Sequence, residues 1–227
     1  MLTGTEGRRL DPELARFYET FGFLRLRGLF RDEVDTLSAV FDELVSTYGI
    51  TGWPNFDPER RHRKTVVPDP IAISAEIREF SNDARLLDVV RTLVGNDFTR
   101  TGSMATAFHE DTEWHFDSYG VPKGVHTIKT SLYLDRLDGR TGALRVLPGT
   151  HFRNSPYCRH LREAMRLGVD DAFGVSATEL PATVIENEPG DLIVWNVHTL
   201  HGSYGGGAYR RQLLFGFADA SPDPPQT

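Results

Sequence analysis

Between residues 12 and 94 the apolar positions recur mainly with a helical period. Leu14, Phe17, Tyr18 and Phe21 fall three or four apart behind Asp11-Pro12, an N-cap followed by a first-turn proline, and Gly22 supplies the stop. Phe23, Leu24, Leu26 and Leu29 then read as a short strand running into a turn. A second helix is predicted from Asp32 to Gly49, with Val34, Leu37, Val40, Phe41, Leu44 and Val45 on one stripe. A third is predicted over 83–94, with Leu86, Leu87, Val90 and Leu93 facing inward and Gly95 ending it. The stretch 51–70, rich in proline and carrying Arg60-Arg61-His62-Arg63-Lys64, predicts a long surface loop. From Phe98 onward the pattern changes to short runs of Val, Ile, Leu, Phe and Tyr between glycine and proline turns. The clearest are 127–134, 143–147, 183–186, 192–197 and 212–218, with a partly helical insertion over 152–180. Many short strands at this spacing predict a barrel or a double-sheet jelly roll. The chain is thus expected to be mainly β with flanking α-helices.

The length of 227 residues fits one domain, with a helix-rich support and lid loop over about 1–97 and a β core over about 98–219. A net charge of −7 argues against a nucleic-acid partner, whose phosphates demand a basic surface. No window holds 18 apolar residues, so no membrane span is expected. The opening residues 1–9 carry no apolar run of the secretory kind, and the lone Cys158 permits no internal disulfide; both lead to the expectation of a cytoplasmic protein. Cys158 has no activating neighbour in sequence and reads as inert.

Candidate chemistry concentrates in the second half. His109-Glu110-Asp111 and His115-Phe116-Asp117 are both His-x-Asp triplets. On a strand, residues i and i+2 share a face, so either triplet would aim an imidazole and a carboxylate at one metal ion. A third ligand from a distant strand would complete the two-histidine, one-carboxylate triad of non-haem Fe(II) oxygenases, which leaves coordination positions open. His198 and His201 follow the turn and apolar strand 189–195, and Arg210-Arg211 opens the next strand. A cosubstrate carboxylate deep in a barrel calls for a bidentate, permanently charged cation, which only arginine provides. Arg210 shares its face with the slimmer Gln212, Leu214 and Gly216, whereas Tyr209, Leu213, Phe215 and Phe217 line the other face; Arg211 serves if the register is shifted by one.

Four pieces in order carry a resemblance: Trp114-His115-Phe116-Asp117, the run from Gly142 to His151 (GALRVLPGTH), Gly190-Asp191 ten residues before His201-Gly202-Ser203, and Tyr209-Arg210. With Phe17-Tyr18-Glu19-Thr20-Phe21-Gly22-Phe23 and Arg27-Gly28-Leu29-Phe30, they resemble the phytanoyl-CoA dioxygenase family over about residues 12–219. The resemblance implies a double-stranded β-helix (jelly roll, cupin-like) and an Fe(II)- and 2-oxoglutarate-dependent oxygenase that consumes O2 and releases succinate and CO2. It implies His115, Asp117 and His201 as iron ligands and Arg210 with Ser203 on the distal carboxylate of 2-oxoglutarate. Lys129, Ser131 and Tyr133, on one face of the strand entering the Gly142 run, resemble cosubstrate-lining residues in position. It also implies hydroxylation rather than halogenation, because related halogenases replace the carboxylate with a small residue.

Within this reading His109 becomes a pocket-wall or surface residue, and His198 a substrate or supporting contact. His151 caps the Pro-Gly-Thr turn, and His126 is structural or solvated. Trp53, Asn55 and Phe56 are candidate substrate contacts on the 51–70 loop. The 60–64 run is a solvated loop or a lid that recognises an anionic group. The expected substrate is a small molecule, of a specialised-metabolite or amino-acid-like kind. Desaturation, cyclisation, epoxidation or halogenation at the same iron, a barrel that binds metal and ligand without turnover, and a cupin-type enzyme without an arginine clamp are the rivals. Oligomeric state is not legible.

Overall fold

The computed structural model describes residues 10–51, 64–122, 124–165, 174–176, 178–206 and 209–220. Helix α1 (Pro12–Phe21) begins at Asp11, whose carboxylate accepts from Glu13 N, and ends at Gly22, which takes a left-handed φ of 81°. Strand β1 (Phe23–Leu26) follows, then a 3-10 turn at Arg31–Glu33 and helix α2 (Val34–Tyr48). Helix α5 (Ala84–Val94) is capped by the Asp83 side chain and buries Leu86, Val89, Val90, Leu93 and Val94.

The described ends of the stretch 51–70, residue 51 and residues 64–70, differ from the surface loop expected. Thr51 ends β2 (Ile50–Thr51), Lys64–Pro68 form β3, and Pro70 starts the short helix α3 (Pro70–Ile73). A further helix, α4 (Ala75–Ser81), is capped by Ser74 Oγ accepting from Ile77 N. Pro68 does not break β3, because it is the last residue of the strand.

The remaining strands are β4 (Phe98–Phe108), β5 (Thr112–His115), β6 (Thr127–Tyr133), β7 (Leu144–Leu147), β8 (Thr183–Ile185), β9 (Leu192–Asn196), β10 (Leu200–Ser203) and β11 (Arg210–Asp219), with helix α6 (Pro156–Ala164) between β7 and β8. They build two antiparallel sheets: a large one in the order β1-β9-β6-β11-β4-β3-β2 and a small one in the order β5-β10-β7-β8. This is the jelly roll that the strand pattern predicts.

The period-two alternation of the large sheet assigns its faces. Leu213, Phe215 and Phe217 of β11, Ala105 and Ala107 of β4, Ile128 and Leu132 of β6, and Leu192 and Val194 of β9 join the α2, α4 and α5 side chains in one apolar core. The intervening residues face the small sheet, and the cavity lies there.

Asp191 closes the far end of β1. Fully buried, it accepts from Arg25 Nε at 2.8 Å and Nη2 at 2.6 Å, from Gly28 N at 2.6 Å and from Glu188 N at 2.9 Å. Gly190 before it has no room for a side chain, since a Cβ would lie 2.5 Å from Arg31 Cα. The Gly190-Asp191 pair is therefore an architectural clasp. His151 is also architectural: its Nε2–H donates to the Glu19 carbonyl at 3.0 Å, against the end of α1. His126 Nε2 lies 3.0 Å from the Tyr18 hydroxyl. Cys158 is buried with its thiol on the Thr150 carbonyl, away from the cavity.

Candidate metal centre

Strands β5 and β10 are neighbours in the small sheet, and His115 stands directly opposite His201 in their register. Their rings lie 4.2 Å apart between centroids. Past His115 the chain leaves the strand, and Asp117 N donates to the Val197 carbonyl at 2.9 Å. The Asp117 carboxylate consequently returns toward the imidazoles: Oδ2 is 3.2 Å from His201 Nε2 and Oδ1 is 3.6 Å from His115 Nε2. One ligand atom from each of the three residues lies within 4.8 Å of the others, and among the described residues no other group of three His, Cys, Asp or Glu has such a geometry.

The donor set suits a divalent transition metal. His115 Nδ1–H donates to the Glu113 carbonyl at 2.7 Å, and His201 Nδ1–H donates to the Thr199 carbonyl at 2.9 Å. Only a protonated nitrogen can face a carbonyl, so in the neutral form of each ring Nε2 carries the free lone pair, and a metal binds to that atom. Burial pushes the His115 pKa down to about 4, with the His201 charge adding to the shift, so the ring is neutral at ordinary pH. Burial opposes the charge on Asp117, but His201, Lys129 and His115 outweigh it and hold the carboxyl well below its usual range. Two imidazoles that offer Nε2 and one carboxylate are the facial set that iron oxygenases use.

The large sheet supplies the opposite wall. Lys129 Nζ lies 2.8 Å from Asp117 Oδ1, and Trp195 Nε1–H donates to Asp117 Oδ2 at 3.1 Å. The cavity is about 630 Å3 counting its open mouth, and Met104, Leu144, Trp195 and Leu214 give it apolar walls. Arg210 enters it from the start of β11, almost fully buried. Its Nη1 donates to the Gly142 carbonyl at 2.7 Å and its Nη2 to the Glu110 carbonyl at 2.6 Å, which fixes the guanidinium plane. Its Nε is buried without an acceptor among the described residues. A buried charged donor with no acceptor is costly, and an anion beside it removes the cost. Gly142 explains part of the family-like run: a Cβ there would lie 2.8 Å from Arg210 Cδ, and its φ is +89°.

The sequence-predicted residues divide as follows. His115, Asp117, His201, Arg210, Ser203, Lys129 and Tyr133 all line this one cavity. Burial pushes the Tyr133 phenol up to about 12, so it stays protonated. Ser131 lies on the same strand face but is fully buried between β9 and β11, off the cavity wall. His198 is also off the wall, in the β9–β10 turn; burial, then Arg153 and Arg162, push its pKa down to about 4. Arg211 turns the other way, bonding Asp135 at 2.8 Å and Asp42 at 3.1 Å. The rival pair is split: His109 Nε2 lies 3.1 Å from Thr65 Oγ1, and Asp111 accepts from Gly206 N. Trp53, Asn55, Phe56 and the basic residues 60–63 lie outside the described residues. Lys64 lines the cavity from β3. Sequence reasoning overlooked Trp195, although the parity of β9 puts it beside Ile193 on the inner face and a buried indole N–H needs an acceptor.

Solved structures share this architecture. HygX from Streptomyces hygroscopicus, with nickel and 2-oxoglutarate bound, matches with a TM-score of 0.74 and 20% identity over 96% of this chain and 91% of that one. The non-haem α-ketoglutarate-dependent carbocyclase SnoK from nogalamycin biosynthesis matches with a TM-score of 0.76 and 19% identity over 96% and 87%. EctD from S. alaskensis, in its apo form, gives 0.70 and 21% over 96% and 80%. At these identities the likeness establishes the fold. No curated protein matches the chain in sequence. The phytanoyl-CoA dioxygenase (PhyH) model matches residues 18–211, so the chain belongs to that family of non-haem iron oxygenases, which use 2-oxoglutarate and O2.

Proposed function

We propose that this protein hydroxylates an unactivated C–H bond of a small molecule at an iron held by His115, Asp117 and His201, consuming 2-oxoglutarate and O2 and releasing succinate and CO2. One observation carries the reading: the three ligand atoms within 4.8 Å of one another share a cavity with the buried guanidinium of Arg210. The ferrous ion, when bound, supplies the redox chemistry that couples oxidation of the keto acid to oxidation of the C–H bond. The side chains do the rest. The two imidazoles present their Nε2 atoms, and Asp117 adds one negative charge that lowers the net charge of the centre. Arg210 binds the distal carboxylate of 2-oxoglutarate, with the Ser203 hydroxyl beside it and Tyr133 and Lys129 on the same wall. Leu144, Leu214 and Trp195 keep water from the reacting carbon.

The substrate is a specialised metabolite or an amino-acid-like compound. Its kind is supported by similar folds in nogalamycin biosynthesis and by a HygX structure with hygromycin B bound. Cyclisation at the same iron is the second reading, favoured by the likeness to the carbocyclase SnoK. The carboxylate at 117 favours hydroxylation over halogenation. Trp53, Asn55 and Phe56 are proposed substrate contacts outside the described residues. Among the described residues no helix is long and apolar enough to cross a membrane, and a cytoplasmic location is part of this reading.

Succinate release from 2-oxoglutarate with Fe(II) and O2, measured in the full chain and in Asp117→Ala, tests it. Turnover that needs Fe(II) and disappears in the variant is expected. Tight binding of metal and keto acid with no succinate formed would instead make the protein a binding barrel. Activity unchanged in Arg210→Ala would favour a cupin-type enzyme without a clamp.

A further inference from the structure

We propose that Trp195 is a positioning residue that fixes the orientation of the Asp117 carboxylate toward the metal, an inference that rests on the iron-site reading above. Asp117 lies beyond the end of β5, and its backbone is tied to Val197 by one hydrogen bond, Asp117 N to the Val197 carbonyl at 2.9 Å. The rotation of its carboxylate is therefore set by the groups around the two oxygens. Trp195 and Lys129 are direct cross-strand partners in the β9–β6 register, and both point into the cavity. Trp195 Nε1–H donates to Oδ2 at 3.1 Å, and Lys129 Nζ meets Oδ1 at 2.8 Å. The large sheet thus places one donor on each oxygen, while His201 and His115 of the small sheet face the same two oxygens at 3.2 and 3.6 Å.

The two donors are not equivalent. The lysine is a cation on a flexible stem, and a dication at the triad repels it. The indole is neutral, donor-only and rigid, and its N–H does not titrate. Trp195 is 2% exposed and packs with Phe23, Ile193 and Leu214, and its ring lies 5.4 Å from that of His201. A donor so held keeps its direction whether or not a metal is present. A second-layer hydrogen bond of this kind orders a ligating carboxylate before binding, and its loss typically weakens metal affinity by about 10- to 100-fold.

Trp195→Phe keeps most of the ring and deletes the donor. Titration of the full-length wild type and variant with Co(II) alone, with the melting temperature of each measured metal-free, is the test. The expected result is Co(II) binding weakened about 10- to 100-fold in the variant, with a cooperative melt retained. A lower melting temperature with Co(II) affinity within twofold of wild type overturns the proposal, because packing alone would do that. Wild type that binds no Co(II) overturns the iron-site reading itself. If the variant fails to fold, the indole N–H resonance of Trp195 in the wild type decides, assigned with Trp53→Phe and Trp114→Phe. It should move on addition of Zn(II) and also in Asp117→Ala; a resonance indifferent to both refutes the contact.

Discussion

The two faces of the large sheet are made by the same strands and obey opposite rules. The outer face, with Leu213, Phe215 and Phe217 of β11 against α4 and α5, is apolar and closed. The inner face, with Arg210, Gln212 and Leu214 from alternate positions of that same strand, is mixed and open to a cavity. Stability resides on the first face, where each ring adds buried area. Chemistry resides on the second, where polar groups are buried without full satisfaction. One residue along the chain separates the two, so a shift of register by one would exchange them.

That division predicts how substitutions separate. Asp117→Ala, in the cavity that the inner face lines, should abolish succinate release and weaken iron binding by about tenfold or more, with the fold intact by circular dichroism; retained activity there, together with its loss in His109→Ala, would relocate the metal to the other triplet. Phe215→Ala, one face away, should cost about 3–5 kcal/mol of unfolding free energy while turnover per folded molecule holds; urea melts paired with active-site titration check this. Arg210→Ala should raise KM for 2-oxoglutarate by roughly 10- to 100-fold, the worth of a lost charge-assisted hydrogen bond, and Arg210→Lys should not restore it, since an ammonium lacks the fork.

Acidification should act through depressed histidines. His115 and His198 are both pushed down to about 4. Between the unfolded value of about 6.5 and about 4, the unfolded chain binds protons that the folded one refuses. Stability of the metal-free protein should therefore fall as pH drops through that window and be flat above it; His198→Gln should make the fall shallower in thermal melts. Smallest is Arg211→Ala, which loses its ion pairs to Asp135 and Asp42. It should cost about 1 kcal/mol and leave KM for 2-oxoglutarate unchanged, in contrast to its neighbour.

Much of this was legible in the residues because the local signals were redundant. Asp11-Pro12 and Gly22 bracket α1, and Asp83 and Gly95 bracket α5, as caps require. The parity of β11 correctly placed Arg210 apart from Phe215. Periodicity along the chain carries no information on which distant strands meet, so in the sequence only family likeness separates His201 from His198; the pairing of β10 with β5 sets His201 opposite His115. Strand β10 itself, Leu-His-Gly-Ser, has little intrinsic strand preference; pairing on both sides makes it a strand. Strand β3 was hidden by its flanking basic run and by Pro68. Ser131 shows the limit of parity: it faces inward, yet β9 and β11 close over it.

The Asp191 clasp has a consequence for solubility. Among the described residues strand β1 is an edge strand, and the neighbour it covers, β9, is Leu-Ile-Val-Trp-Asn, buried along its whole length. Bared, such a strand would offer an apolar ladder to another copy of the chain. By anchoring Arg25 and Gly28, one carboxylate outside the cavity keeps that ladder sheathed.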